Sequence, residues 1–285
     1  MPKCINTPLK NFTGYESSPL GLGYSATVEK DGKLMIGKDE DLWYVRQKGN
    51  SKMWFKYSYY FSDFTEDCIK EAYLPVIKEI KEFDETGREE KFGGTKPFFI
   101  EGEKWPKDID GNPLVFFCQF KDPRVSNNIL YRVFIGVDNT DDYEFENKWI
   151  TKIELNQENI NKQIILIKPE TILKENNIFN CNVIKEWNKK NEFASFEYIR
   201  NKFNIPNYND DKKVYRKFYD IYESHDLYPS NKIKVGGTPM SCQDPEHVKS
   251  YTLLQMTDSH ILPYQWGDCG IAHIDNECNL IWDCC

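Results

Sequence analysis

Hydrophobic and polar positions are grouped in short blocks near the start of the chain. Between Gly21 and Tyr57, apolar or aromatic runs are separated by the polar clusters Lys30-Asp31-Gly32-Lys33, Gly37-Lys38-Asp39-Glu40 and Lys48-Gly49-Asn50-Ser51. Runs of that length between turn formers predict three antiparallel strands, around 24–28, 42–46 and 52–57. The period then changes. Ile69, Val76, Ile77, Ile80 and Phe83 recur at helical spacing behind Thr65, with Glu66 and Asp67 where the helix dipole favours acids. A helix kinked or split at Pro75 is predicted there, and the polar stretch from Asp84 to Glu90 reads as a linker into the main body.

The main body repeats itself. Lys91-Phe92-Gly93-Gly94-Thr95 returns as Lys234-Val235-Gly236-Gly237-Thr238, each followed within two residues by a proline, Pro97 and Pro239. Downstream, Leu114-Val115-Phe116-Phe117-Cys118-Gln119 corresponds to Leu253-Leu254-Gln255, and Phe134-Ile135-Gly136-Val137-Asp138-Asn139 echoes Ile271-Ala272-His273-Ile274-Asp275-Asn276. Three correspondences in one order predict an internal duplication, with units at about 91–142 and 234–279. Each unit should contain a Gly-Gly turn, a buried strand ending in a side-chain amide, and a strand closed by an Asx turn. Between the copies, 195–203 and 212–225 have helical character. The fold class expected is α+β, a duplicated β-rich unit of two similar halves, each with a helix, plus a small N-terminal antiparallel β module. The domains expected are 1–60 and 61–285.

Continued through Gln243-Asp244-Pro245, Trp266-Gly267-Asp268-Cys269-Gly270 and Trp282-Asp283-Cys284-Cys285, the second copy resembles the YwqG-like family, a domain of unknown function designated DUF1963. The resemblance runs from about Lys91 onward and is strongest from Lys232. In that family the first unit has a Gly-Gly-x-Pro turn and then a Trp-Pro pair. Here Gly93-Gly94-Thr95-Lys96-Pro97 carries an extra residue, read as Lys96, before Trp105-Pro106. The resemblance implies two β-rich halves and no established activity. Some of its members are thought to act as immunity or partner-neutralising factors. The phrase from Ile36 to Lys56 also resembles a small module of giant DNA virus proteins, which implies the cytoplasm of an infected host or a virion.

Composition narrows the function classes. A formal charge of −8 argues against sequence-independent binding to nucleic-acid phosphates. The lysines and arginines between Lys185 and Lys217 are interleaved with Glu186, Glu192, Glu197, Asp210 and Asp211, as on a solvated helical face. The N-terminus has no apolar signal region, and no apolar run of about 18 residues occurs, so neither secretion nor a membrane span is expected. Nine cysteines without regular spacing predict thiols in a reducing, cytoplasmic setting.

Several segments invite a chemical reading. Gln265-Trp266-Gly267-Asp268-Cys269-Gly270 resembles a cysteine-protease nucleophile segment, but none of His225, His247, His260 and His273 sits in a supporting motif. Cys269, His273, Cys278, Cys284 and Cys285 are soft ligands without the paired spacing of a structural zinc site. Lys-x-Gly-Gly-Thr lacks the spaced glycines and the Gly-Lys-Ser/Thr ending of a phosphate loop. The carboxylates Asp122, Asp138, Asp244, Asp268, Asp275 and Asp283 sit in turns, where they cap backbone. No catalytic residue, metal ligand or cofactor is therefore expected. A non-enzymatic module that binds a protein or peptide in a cleft between the halves fits best, and the alternative is a cysteine-dependent hydrolase or small-ligand enzyme using Trp266 to Gly270. The residues expected at a ligand or partner site are Gly93, Gly94, Gln119, Gly236, Gly237, Gln243, Asp244, Gln255, Trp266 and Asp268.

Overall fold

The structure is a computed structural model that describes residues 1–57, 66–81, 84–137, 143–166, 180–242, 252–257, 262, 266 and 269–284. Its elements in chain order are β1 (Leu34–Ile36), β2 (Leu42–Lys48), β3 (Ser51–Lys56), β4 (Ile69–Ile80), β5 (Lys91–Phe92), β6 (Phe99–Ile100), β7 (Val115–Lys121), β8 (Ile129–Val137) and β9 (Tyr143–Glu154). There follow α1 (Gln157–Asn161), β10 (Gln163–Ile164), β11 (Cys181–Phe193), α2 (Phe196–Lys202), α3 (Lys212–Glu223), β12 (Lys234–Gly236), β13 (Thr252–Thr257), β14 (Ile271–Asp275) and β15 (Leu280–Asp283). Helices and mostly antiparallel sheets make the class α+β. Among the described residues no helix is long and apolar enough to cross a membrane.

The chain divides into two compact units, Met1–Lys70 with Glu192–Pro229, and Glu71–Asn191 with Ser230–Cys285. In the first, β1, β2 and β3 form an antiparallel sheet with Leu34 opposite Tyr44 and Val45 opposite Trp54. The first strand expected, at 24–28, is instead a 3₁₀ turn over Ala26–Val28, because the Ser25 side chain accepts from Thr27 N and turns the chain there. Strand formation begins after the turn at Gly32. The helices expected over 195–203 and 212–225 are present. Ser195 caps α2 through Tyr198 N, and Asp211 caps α3 through Val214 N. Val214, Phe218 and Tyr222 of α3 are buried with Leu34, Leu42 and Tyr44. Both longer helices belong to this compact unit.

The second unit is built on a ten-stranded sheet in the order β15-β14-β13-β12-β4-β11-β5-β7-β8-β9. Residues 69–80, expected as a helix, are strand β4, paired with β12 through Tyr73 opposite Val235 and Ala72 opposite Gly236. A proline inside a helix costs about 3 kcal/mol. Pairing with β12 gives the backbone around Ala72 and Tyr73 ladder partners that distant sequence supplies. Phe92, Val133, Val235, Leu254, Met256 and Ile274, all essentially buried, belong to one core. Side chains tie β9 to β15 and to the turn before it: Lys148 Nζ donates to Leu280 O at 3.2 Å, and Lys152 Nζ to Asn276 O at 3.3 Å.

Candidate functional site

Gly93 and Gly94 have φ of 70° and 88°, and Gly236 and Gly237 have 69° and 73°. Left-handed backbone at consecutive positions reverses the chain sharply and favours glycine. At Gly94 a Cβ would also lie 2.7 Å from Glu85 Oε2. Each reversal sends the chain back across the sheet as a strap, over 94–100 after β5 and over 237–242 after β12.

One row of side chains fastens each strap. Lys91 lies opposite Gln119, which lies opposite Arg132. Lys234 lies opposite Gln255, which lies opposite His273. Lys91 Nζ donates to Lys96 O and Lys234 Nζ to Thr238 O, both at 2.7 Å. Gln119 Oε1 accepts from Phe98 N, and Gln255 Oε1 from Met240 N, both at 2.9 Å. The amide nitrogens donate to Gly87 O and Glu89 O in one case, and to Ser230 O and Lys232 O in the other. An amide with one acceptor and two donors suits this junction, where a strap and a strand entrance both present unpaired backbone. Irregularities in strand register also match: they lie between Phe116 and Cys118 and between Thr252 and Leu254.

Two details differ from the sequence expectation. His273 occupies the cross-strand position of Arg132, not of Gly136, because the connection from β7 to β8 is shorter than that from β13 to β14. Counting back from the bonds at Phe98 and Met240, Lys96 matches Thr238, so the extra residue is Thr95. Its N–H, with that of Lys96, donates to the Glu85 carboxylate. That carboxylate also holds Lys91 Nζ at 2.9 Å, with both side chains essentially buried.

At the ends of the rows the two sites diverge. Arg132 Nη1 donates to Phe98 O at 2.7 Å, and its two Nη atoms grip Glu103 at 2.8 and 2.9 Å. The guanidinium lies 5.4 Å from the Phe99 ring centre and 5.5 Å from that of Trp149, with Nε lacking a partner. Burial works against the charge on Glu103, but Arg132 and Ile100 N outweigh it and hold the carboxyl below its usual range. An ion pair therefore closes the first site.

At the second site His273 Nε2 contacts Met240 O at 2.8 Å. A carbonyl only accepts, so the ring proton is on Nε2 and Nδ1 is an acceptor. His273 is 2% exposed, and Nδ1 is buried without a partner. Burial, aided by Lys234, pushes the imidazole down to about 4 despite Met240 O and Asp283, so it is neutral near pH 7. Asp283 lies on the same sheet face, two residues beyond Ile281, the partner of His273. Its Oδ2 accepts from Ser241 Oγ of the strap, whereas Oδ1 is buried without a donor. Ile281 and Thr151 fill equivalent row positions. The second site thus presents two buried acceptors, His273 Nδ1 and Asp283 Oδ1, where the first is closed by a cation.

Of the residues expected at a site, the four glycines start the straps, and Gln119 and Gln255 are fully buried and bonded to backbone. Trp266 is fully buried, edge-on to Phe117 with centroids 6.0 Å apart. Gln243, Asp244 and Asp268 lie outside the described residues, as does Asp138. Asp275 makes the Asx turn expected, accepting from Glu277 N at 2.9 Å and Asn279 N at 2.8 Å. Cys269, exposed and at φ 56°, sits in a tight turn where a Cβ on Gly270 would lie 1.9 Å from Trp266 O. Among the described residues no cluster of three or more His, Cys, Asp or Glu side chains could hold a metal. Arg132 and Glu103 were missed, since nothing local marks an arginine in an apolar strand as one end of a buried pair.

A search of curated proteins found no match to the chain. Residues 90–275, which include both straps and both fastening rows up to β14, match the family model described as "Domain of unknown function (DUF1963)", and the chain belongs to that family.

Proposed function

We propose that this protein is a non-enzymatic, YwqG-like binding module, descended from an internal duplication, that takes a protein or peptide segment at its second strap. The carrying observation is the pair of buried acceptors, His273 Nδ1 and Asp283 Oδ1, without donors of the protein's own. A buried acceptor left unpaired costs about 1–3 kcal/mol. A ligand that supplies two donors recovers that cost, and an ammonium or guanidinium group of a basic residue has them. The net charge of −8 favours a basic partner. The matched fastening rows support duplication, with one row ended by the Arg132–Glu103 ion pair and the other by the two unpaired acceptors. A cytoplasmic, partner-neutralising role is consistent with such a module.

The test is selection of heptapeptides from a displayed random library on the purified full chain, followed by calorimetry. The expected ligands contain Lys or Arg, bind wild type, lose at least tenfold in affinity with Asp283→Asn, and retain it with Cys269→Ala. Enrichment without basic residues, or equal binding to Asp283→Asn, refutes the reading. The exposed Cys269 in its constrained turn favours one alternative, a cysteine-dependent hydrolase. That reading requires rapid alkylation of Cys269 and loss of turnover in Cys269→Ala.

A further inference from the structure

The second strap ends at Cys242, whose Sγ donates to Cys269 O at 2.7 Å. Cys242 is half-buried and Cys269 exposed, and neither is in a disulfide. Ordinary bond lengths then put the two Cα atoms at most about 8 Å apart, a range that includes the roughly 4.4–6.8 Å of a disulfide. The two thiols come from separate elements: Cys242 from the strap fastened by Gln255 and His273, Cys269 from the turn entering β14. A bond between them would lock the strap onto that turn. Cys284 is a competitor, since Ile271 pairs with Asp283 and each has a cysteine close by in sequence.

We infer that Cys242 and Cys269 form a modification site, a dithiol that a small-molecule disulfide such as oxidised glutathione converts to an intramolecular disulfide. The exposed Cys269 thiolate attacks one glutathione sulfur, expels a glutathione thiolate and leaves a mixed disulfide. The Cys242 thiolate then attacks Cys269 Sγ and expels the second glutathione thiolate. Two electrons pass from the protein thiols to glutathione, and the two thiol protons end on the two glutathione thiols released. The inference is independent of the ligand reading, since it needs neither His273 nor Asp283.

The experiment equilibrates the full chain with excess oxidised glutathione, blocks remaining thiols with iodoacetamide, and cleaves before aspartates without reduction. Such cleavage separates Cys242 (226–243), Cys269 (268–274), Cys278 (275–282) and the pair at 284 and 285 (283–285). The expected product joins 226–243 to 268–274 and is two hydrogens lighter than the two peptides together. Cys242→Ser is expected to stop at a glutathione adduct on Cys269, and Cys269→Ser to give no cross-link to 226–243. Oxidised wild type is expected to melt at higher temperature than reduced, a shift that Cys242→Ser abolishes. Glutathione adducts on both cysteines of wild type without a cross-link, no reaction at Cys269, or 226–243 joined to 283–285 each overturn the inference.

Discussion

Lowering the pH from 7 to 5 probes the buried His273 directly. Its imidazole titrates at about 4 in the folded chain against an ordinary 6.5. Below pH 6.5 the unfolded chain binds a proton that the folded chain refuses, so stability is full above 6.5 and falls as the pH drops towards 4. With those two values the loss from His273 is about 2 kcal/mol at pH 5, approaching about 3 kcal/mol below pH 4. His225, also lowered by burial, adds a loss of the same sign. Carboxyls held low, such as Glu103, lose their contribution only below their ordinary value of 4.5, so pH 5 isolates the histidines. The assay is urea unfolding of wild type and His273→Gln at pH 7 and 5, the glutamine being able to donate to Met240 O without titrating. Wild type should lose about 2 kcal/mol more than the variant. Equal losses would show that His273 accepts a proton in the folded state and would refute the neutral tautomer on which the acceptor pair depends.

Three further outcomes are expected. Lys91→Met leaves the buried Glu85 carboxylate uncompensated and should cost about 3–5 kcal/mol in denaturant unfolding, with part recovered by adding Glu85→Gln. Gly94→Ala places a methyl against Glu85 at a left-handed position and should lower the thermal midpoint, whereas Gly102→Ala, at φ 92° with open space around its Cβ, should lower it less. Gln255→Leu strands Met240 N and two carbonyls at about 1–3 kcal/mol for each buried group left unmet, and amide exchange should rise at Met240 before it rises in β13.

The Gly-Gly turns and the strand amides were legible in the sequence, and the straps they start and fasten were not. Consecutive left-handed positions select glycine, and a junction needing one acceptor and two donors selects glutamine, so Gly93-Gly94 with Gln119 and Gly236-Gly237 with Gln255 stood out together. Strand β4 was misread because Ile69, Val76, Ile77 and Ile80 satisfy a helical period, while its partner β12 lies more than 150 residues away. The acceptor pair was only half visible. His273 and Asp283 were both noticed, but their convergence arises from the register of β14 on β15 and from Met240 and Ser241, over 30 residues upstream.

The lysine ties between β9 and β15 also bear on how the chain is made. On a ribosome β9 emerges more than a hundred residues before Leu280 and Asn276, the carbonyls that Lys148 and Lys152 will reach. Through that interval the nascent first half has β9 as an uncovered outer strand, open to pairing with another chain. Seam closure therefore waits until residues 276–280 have emerged, and slow elongation between β9 and β15 would prolong the vulnerable interval. Residues 276–280 act on the first half as a late-arriving intramolecular guard.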